Sequence, residues 1–260
     1  KVVKKISRRH IIKGYSLLPF DACLPGLVRA QDIPDFSQLK VGYAQRLKKI
    51  LATGEVPYVD IESSCNSGQL DIDFVAKSMD ELNIGLMALS ANIGKGQFKK
   101  GVRFDDVSKR LLAAYPDRFI PVGNGGQAPA LTEATDEFLN AQEAAFRKKQ
   151  IMLLGEFEMR HYPSARQAKS GEMERDVDIP IDGPIGHRLF SLSEKMGVAF
   201  QLHYEVEDRL LGPLEKMLEQ YPKAKVIWCH LAQIRYIERA SRCPVSPFQE
   251  HLRLTESGTL

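Results

Sequence analysis

The chain has 260 residues, 43% hydrophobic and 27% charged, a balance that gives a folded globular body and argues against long disorder. The formal charge of +3 is gathered at the start: Lys1, Lys4, Lys5, Arg8, Arg9, Lys13 and Arg29 against Asp21 give residues 1–30 a net +6 and leave −3 for the rest, so no nucleic-acid-binding body is expected. No run of 18 apolar residues occurs, which excludes a multi-span helical membrane protein and stable membrane insertion, and Cys23, Cys65, Cys229 and Cys243 form no Cys-x-x-Cys pair, which excludes a zinc knuckle or thioredoxin-type motif.

Residues 1–30 read as an export address. Ser7-Arg8-Arg9-His10-Ile11-Ile12-Lys13 resembles a twin-arginine signal. An apolar stretch from Tyr15 to Val28 follows, and Val28-Arg29-Ala30 offers small residues at a cleavage site. This predicts a bacterial periplasmic protein; a basic amphipathic helix on a cytoplasmic protein is the alternative. Residues 31–55 form a polar lead-in, helical over Leu39–Leu51.

From residue 56 strand and helix signals alternate. Strands are expected at Val56–Ser63, Ile84–Ala91, Phe119–Gly123, Ile151–Met159, Ala199–Val206 and Lys225–Ala232. Helices are expected at Ile72–Leu82, Phe104–Ala114, Thr132–Lys149, Gly186–Met196 and Leu210–Gln220. Such alternation implies a parallel sheet with right-handed crossovers. No Gly-rich phosphate loop follows the first strand, so a nucleotide-binding sheet is disfavoured. The expected fold is α/β, a (β/α)8 TIM-barrel type with six βα units readable over residues 56–240, and with its active residues at the C-terminal strand ends. Residues 241–260 are an atypical tail, with two prolines and no period-two apolar run to supply further central strands. The sixth strand is therefore expected to show an open edge, or to be covered by a second copy in a homodimer. A polar loop from Arg160 to about Ile185 lies on the site face and reads as a lid or binding loop, or as a disordered surface insert.

Polar side chains stand at three strand ends where a barrel strand is ordinarily apolar. The fifth reads Phe200-Gln201-Leu202-His203-Tyr204-Glu205, the sixth Ile227-Trp228-Cys229-His230-Leu231-Ala232, and the fourth Leu154-Gly155-Glu156-Phe157-Glu158. Neighbouring strands lie about 4.8 Å apart, so inward His203 and His230 can share one ion. Imidazoles with a carboxylate suit zinc and similar divalent metals, and Glu156 is in reach. Glu158 shares the face of Glu156 by alternation. Arg160 and His161 follow the fourth strand and are placed to face the site, Arg160 as a substrate binder and His161 either there or as a surface residue. Arg235 follows the sixth, as a binder for a substrate carboxylate or as a solvated surface arginine. Cys229 should point away from the site as a buried apolar residue.

With these residues the sequence resembles the amidohydrolase superfamily, in its branch of metal-dependent hydrolases with the amidohydrolase-related domain. The resemblance spans roughly residues 55–240 and is most specific over 150–240. It implies His203 and His230 as metal ligands from the fifth and sixth strands, and Glu156, in a Gly155-Glu156 pair common at that strand, as the fourth-strand ligand. Two departures stand out. The family's first strand ends Asp-x-His-x-His, whereas Val59-Asp60-Ile61-Glu62-Ser63-Ser64 puts Glu62 and Ser64 in the two His places. Glu62 can ligate and Ser64 is a poor ligand. The family's eighth-strand Asp, a metal ligand and proton acceptor, has no counterpart after Ala240.

The expectation is a metal-dependent hydrolase using metal-activated water on an amide, ester or lactone, or running a related decarboxylation. Its cofactor would be a divalent metal, zinc by donor set, its partner a small-molecule substrate, and its general base Glu158 or Glu205 in place of the missing Asp. The alternative is a degenerate or truncated barrel that binds metal or ligand without turnover.

Overall fold

The computed structural model describes residues 35–65, 70–91, 107–123, 125–126, 130–133, 135–171 and 173–231. All of these belong to one compact unit, Ile33–Leu260. The export address, Arg235 and the tail lie outside the described residues.

Helix α1 (Phe36–Leu51) leads into β1 (Tyr58–Cys65), α2 (Ile72–Glu81), β2 (Ile84–Ala91), α3 (Val107–Ala114), α4 (Ala130–Glu133), α5 (Thr135–Arg147) and β3 (Leu153–His161). Then come α6 (Ala165–Lys169), a 3-10 turn (Met173–Arg175), β4 (Val177–Asp178), α7 (Pro184–Met196), β5 (Ala199–Tyr204), α8 (Asp208–Gln220), β6 (Lys225–Trp228) and a second 3-10 turn (Cys229–Leu231). Local chemistry sets several of these ends. Asp71 Oδ1 caps α2 by accepting from the Phe74 N–H at 3.0 Å. Pro184 opens α7, where its missing N–H costs nothing, and Gly197 closes it at a left-handed φ of 66°.

β1 pairs with β2 in parallel. Bridges Met87–Phe119, Val122–Leu153 and Gly126–Phe157, all parallel, set residues 119–123 and 125–126 between β2 and β3. β3 pairs with β5 and β5 with β6, again in parallel. The order is thus six consecutive parallel positions with helices between them, the α/β, TIM-barrel type of architecture. The arc also curls: buried Gln201 on β5 donates from Nε2 to the Ile61 carbonyl of β1, a strand it does not neighbour in the ladder. The third position is a string of bridges instead of the expected strand. Pro121 supplies no N–H there, although its carbonyl accepts from Met152 N at 2.7 Å.

The largest core cluster lies between β3, β5 and their helices. Phe157 and Phe200 sit edge to face at 6.3 Å, with Phe138 against the first at 6.4 Å and Phe190 against the second at 5.3 Å. β3 is buried along nearly its whole length, as a central parallel strand should be.

Two expectations change. The Arg160–Ile185 stretch is no loose insert: Ser164 and Gln167 close a capping box on α6, and β4 turns back to pair antiparallel with the end of β3, Asp178 on Arg160 and Val177 on His161. β6 also stops at Trp228, short of Ala232, because His230 takes a left-handed conformation (φ 57°, ψ 27°) that turns the chain out of the sheet. Among the described residues β6 is paired only by β5, and Val226, Ile227 and Trp228 are half-buried.

Candidate metal centre

The centre starts from an irregularity in β3. Leu154 pairs with Phe200 and Phe157 with Leu202, so three steps along β3 match two along β5. Such a bulge re-aims the side chain it carries. It requires Gly155, whose φ is +106° and whose missing Cβ would lie 2.7 Å from the Gln201 carbonyl oxygen. Glu156, next in line, is aimed at the ends of β5 and β6. Its Oε1 lies 2.9 Å from His203 Nδ1 and 2.8 Å from His230 Nε2. The two rings stand 4.7 Å apart, centroid to centroid. Glu156, His203 and His230 each place one ligand atom within 4.8 Å of the other two.

The outer nitrogen of each ring also meets a carboxylate. His203 Nε2 is 3.4 Å from Glu205 Oε1, and His230 Nδ1 is 3.5 Å from Glu62 Oε2. Metal-bound histidines generally donate their second N–H to such an oxygen, which fixes tautomer and ring angle. Two imidazole nitrogens and one carboxylate oxygen on a common side, each ring backed by another carboxylate, fit a divalent ion of the zinc type. Glu62, expected as a fourth ligand, meets His230 from the Nδ1 side and is not one of the three residues whose ligand atoms converge here. Ser64 is exposed.

Without metal this arrangement is an ion pair. Burial pushes Glu156 up, but hydrogen bonds from His203 and His230 outweigh it and hold the carboxyl at about 2. Burial opposes the charge on His203, yet its hydrogen bonds to Glu156 and Glu205 raise it to about 9. His230 is raised by its hydrogen bond to Glu156. Glu62 is raised by burial and by the nearby charge of Glu156.

Beyond His203 lies a second group of polar side chains. Glu158 is buried; Arg175 Nη2 donates to its Oε1, and its Oε2 has no hydrogen-bond partner among the described residues. Glu205 Oε1 also accepts from the Tyr162 N–H at 3.0 Å. Both expected bases therefore stand on this side of His203, outside the Glu156–His203–His230 group. His161 is buried here, its ring 4.8 Å from that of His203 and its Nδ1 2.7 Å from the Arg175 carbonyl oxygen.

Arg160, expected to bind substrate, is committed elsewhere. It is 4% exposed, donates to Glu207 at 2.7 Å, Asp176 at 2.7 Å and the Val177 carbonyl at 2.8 Å, and lies 3.4 Å from the Tyr162 ring centre. A second register step explains the exchange. Glu158 pairs with His203 but Arg160 with Tyr204, so Met159 is the extra residue. Strict alternation puts Arg160 on the face of Glu156 and Glu158; the step gives that face to His161 instead. Arg175 was not singled out by sequence, because nothing local marks one arginine in a polar loop as the partner of a buried glutamate.

No family model matches the sequence, and no curated protein matches it. Among solved structures the chain is similar to 2,6-dihydroxybenzoate decarboxylase in complex with 2,6-dihydroxybenzoate, at 14% identity over 68% of this chain and 67% of that one, with a TM-score of 0.41. It is likewise similar to the 2,6-dihydroxybenzoate decarboxylase from Rhizobium, at 14% identity over the same shares, with a TM-score of 0.43. No helix among the described residues is long and apolar enough to cross a membrane.

Proposed function

We propose that this chain is a metal-dependent hydrolase of the amidohydrolase type, acting on an amide, ester or lactone. The observation that supports it most is the meeting of Glu156 on β3, His203 on β5 and His230 in the turn after β6, three adjacent parallel strands. Bound zinc supplies a Lewis acid for the substrate carbonyl and brings the pKa of water toward ~7. Glu156, His203 and His230 hold the ion, while Glu205 and Glu62 accept the outer ring N–H groups and keep both imidazoles aimed. Glu158 is the proton acceptor in this reading: its Oε2 is uncommitted among the described residues, and Arg175 anchors its Oε1.

The test begins with metal content. Purified protein should carry about one equivalent of zinc, and His203→Ala should lose it. Turnover is then followed on simple esters, lactones and amides, with CO2 release monitored for the related decarboxylation. Glu158→Gln should keep its metal and lose roughly 10²–10⁴-fold in kcat. Full metal in His203→Ala would refute the centre. Metal without turnover of any substrate would leave binding without catalysis, and a Glu158→Gln variant as active as the parent would refute Glu158 as the proton acceptor.

A further inference from the structure

We infer that His161, His203 and Glu205 form a second divalent-cation position, one that shares His203 with the first and excludes it. The three side chains each offer a ligand atom within 4.8 Å of the other two, and all three are buried, at 8%, 5% and 1% exposure. The exclusion rests on the first position proposed above; the second position itself does not.

The hydrogen bonding prepares His161 as a ligand. Its Nδ1 faces the Arg175 carbonyl oxygen at 2.7 Å. A carbonyl only accepts, so Nδ1 carries the hydrogen and the lone pair of the neutral ring sits on Nε2. That is the backbone-carbonyl form of the outer support seen behind metal-bound histidines. A buried carboxylate beside the group lacks a complete set of partners: Glu158 pairs in register with His203, is 2% exposed, and its Oε2 has no hydrogen-bond partner among the described residues. Such an oxygen is costly to bury unless a cation or donor meets it. Glu158 and Glu205 bring two negative charges, met by the His203 ring at 3.4 Å from Glu205 and by Arg175, whose Nη2 touches Glu158 and lies 3.4 Å from His161 Nε2. Arg175 is thus the group that now meets Glu158 where an ion would. An incoming ion has to displace its guanidinium, which sits on the 3-10 turn Met173–Arg175 and is 19% exposed. Two histidines and a glutamate form the donor set of many catalytic zinc sites, so zinc, cobalt or a similar divalent transition metal is the class that fits.

The exclusion follows from His203. Its Nδ1 faces Glu156 at 2.9 Å and its Nε2 faces Glu205 at 3.4 Å. An ion on the Nδ1 side leaves Nε2–H to donate to Glu205. An ion on the Nε2 side leaves Nδ1–H to donate to Glu156. One neutral ring serves one ion, and the carboxylate that ligates in one state becomes the outer support in the other.

The test is titration of metal-free protein with Co2+, read by equilibrium dialysis and by visible absorption of the bound ion. The proteins are the parent, His230→Gln, His161→Gln, the double variant, and His230→Gln with Arg175→Ala, each checked for folding by circular dichroism. The parent should bind one equivalent. Each single variant should still bind one, with distinct spectra, and the double variant should bind at least 100-fold more weakly. Arg175→Ala should tighten binding in the His230→Gln background about tenfold. Loss of binding in His230→Gln with His161→Gln unchanged would overturn the second position and leave the first. The reverse would overturn the first and leave the second. Two equivalents in the parent would overturn the exclusion.

Discussion

Replacing Glu207 by Gln should cost the protein stability at neutral pH, and the cost should fade in acid. Glu207 is 4% exposed and accepts from Arg160 Nε at 2.7 Å, from the Tyr162 hydroxyl and from Arg209 Nε at 2.8 Å. Burial pushes its carboxyl up, but these donors outweigh burial and bring it from 4.5 to about 2. Because the folded value is depressed, the stabilisation is complete above 4.5 and is lost as pH falls through 2. A displacement of that size is worth about 3 kcal/mol at pH 7 and about half as much at pH 3. Arg209 is about half exposed, so its share is screened and ~2 kcal/mol at pH 7 is the better figure. Glu207→Gln keeps the shape while removing the charge that faces Arg160. Urea unfolding of parent and variant from pH 7 to pH 3 should show a gap of ~2 kcal/mol that narrows to about half. Amide exchange over residues 173–178 should quicken in the variant, since Arg160 also holds Asp176 and the Val177 carbonyl. A gap under ~0.5 kcal/mol at pH 7, the usual range for an inconsequential surface change, or a gap that ignores pH, would refute the reasoning.

Other substitutions probe the frame of the centre. Gly155→Ala puts a Cβ within 2.7 Å of the Gln201 carbonyl oxygen at a φ of +106°; it should lower the urea midpoint by about 2 kcal/mol and Co2+ affinity at least tenfold, and an unchanged midpoint would contradict the bulge. His230 sits at φ 57°, so His230→Gly should be about 1 kcal/mol more stable than His230→Ala, a difference thermal unfolding resolves; equal stability would deny the left-handed turn. Phe157→Ala empties a fully buried place between Phe138 and Phe200 and should cost about 3–5 kcal/mol in the same assay, with less than 1 kcal/mol arguing against that core.

The readable part of the molecule is the part governed by local periodicity. Ile84–Ala91 was legible to the residue, and the helix ends expected at Ala114 and Met196 are the ones the fold keeps. The convergence of Glu156, His203 and His230 was legible too, as polar residues at the ends of apolar runs. What escaped were deviations from period two. The register step at Met159 depends on how β3 meets β5, and no residue type announces it. Strict alternation alone would therefore seat Arg160 in the inward place that His161 holds. Gly155 was visible as a residue, yet its reason, the close approach of Gln201, lies on a strand 46 positions away. Pro121 gave the one local hint that the third position would not form a full ladder.

One strand carries most of this arrangement. Through its two register steps β3 sends Glu156 to His203 and His230, Glu158 to Arg175, Arg160 to Glu207, and His161 to the second group. The turn that answers it supplies the Arg175 carbonyl to His161, the Arg175 guanidinium to Glu158, and Asp176 with the Val177 carbonyl to Arg160. Loop position and side-chain state are therefore coupled. Moving residues 173–177 away removes the acceptor that fixes the His161 tautomer and the cation that neutralises Glu158 in the same step. An uncompensated buried carboxylate resists such a motion by several kcal/mol, unless another cation takes the place of the guanidinium. Opening of the loop and arrival of an ion beside His203 are then favourable together and unfavourable separately, which is the condition for the two to be linked.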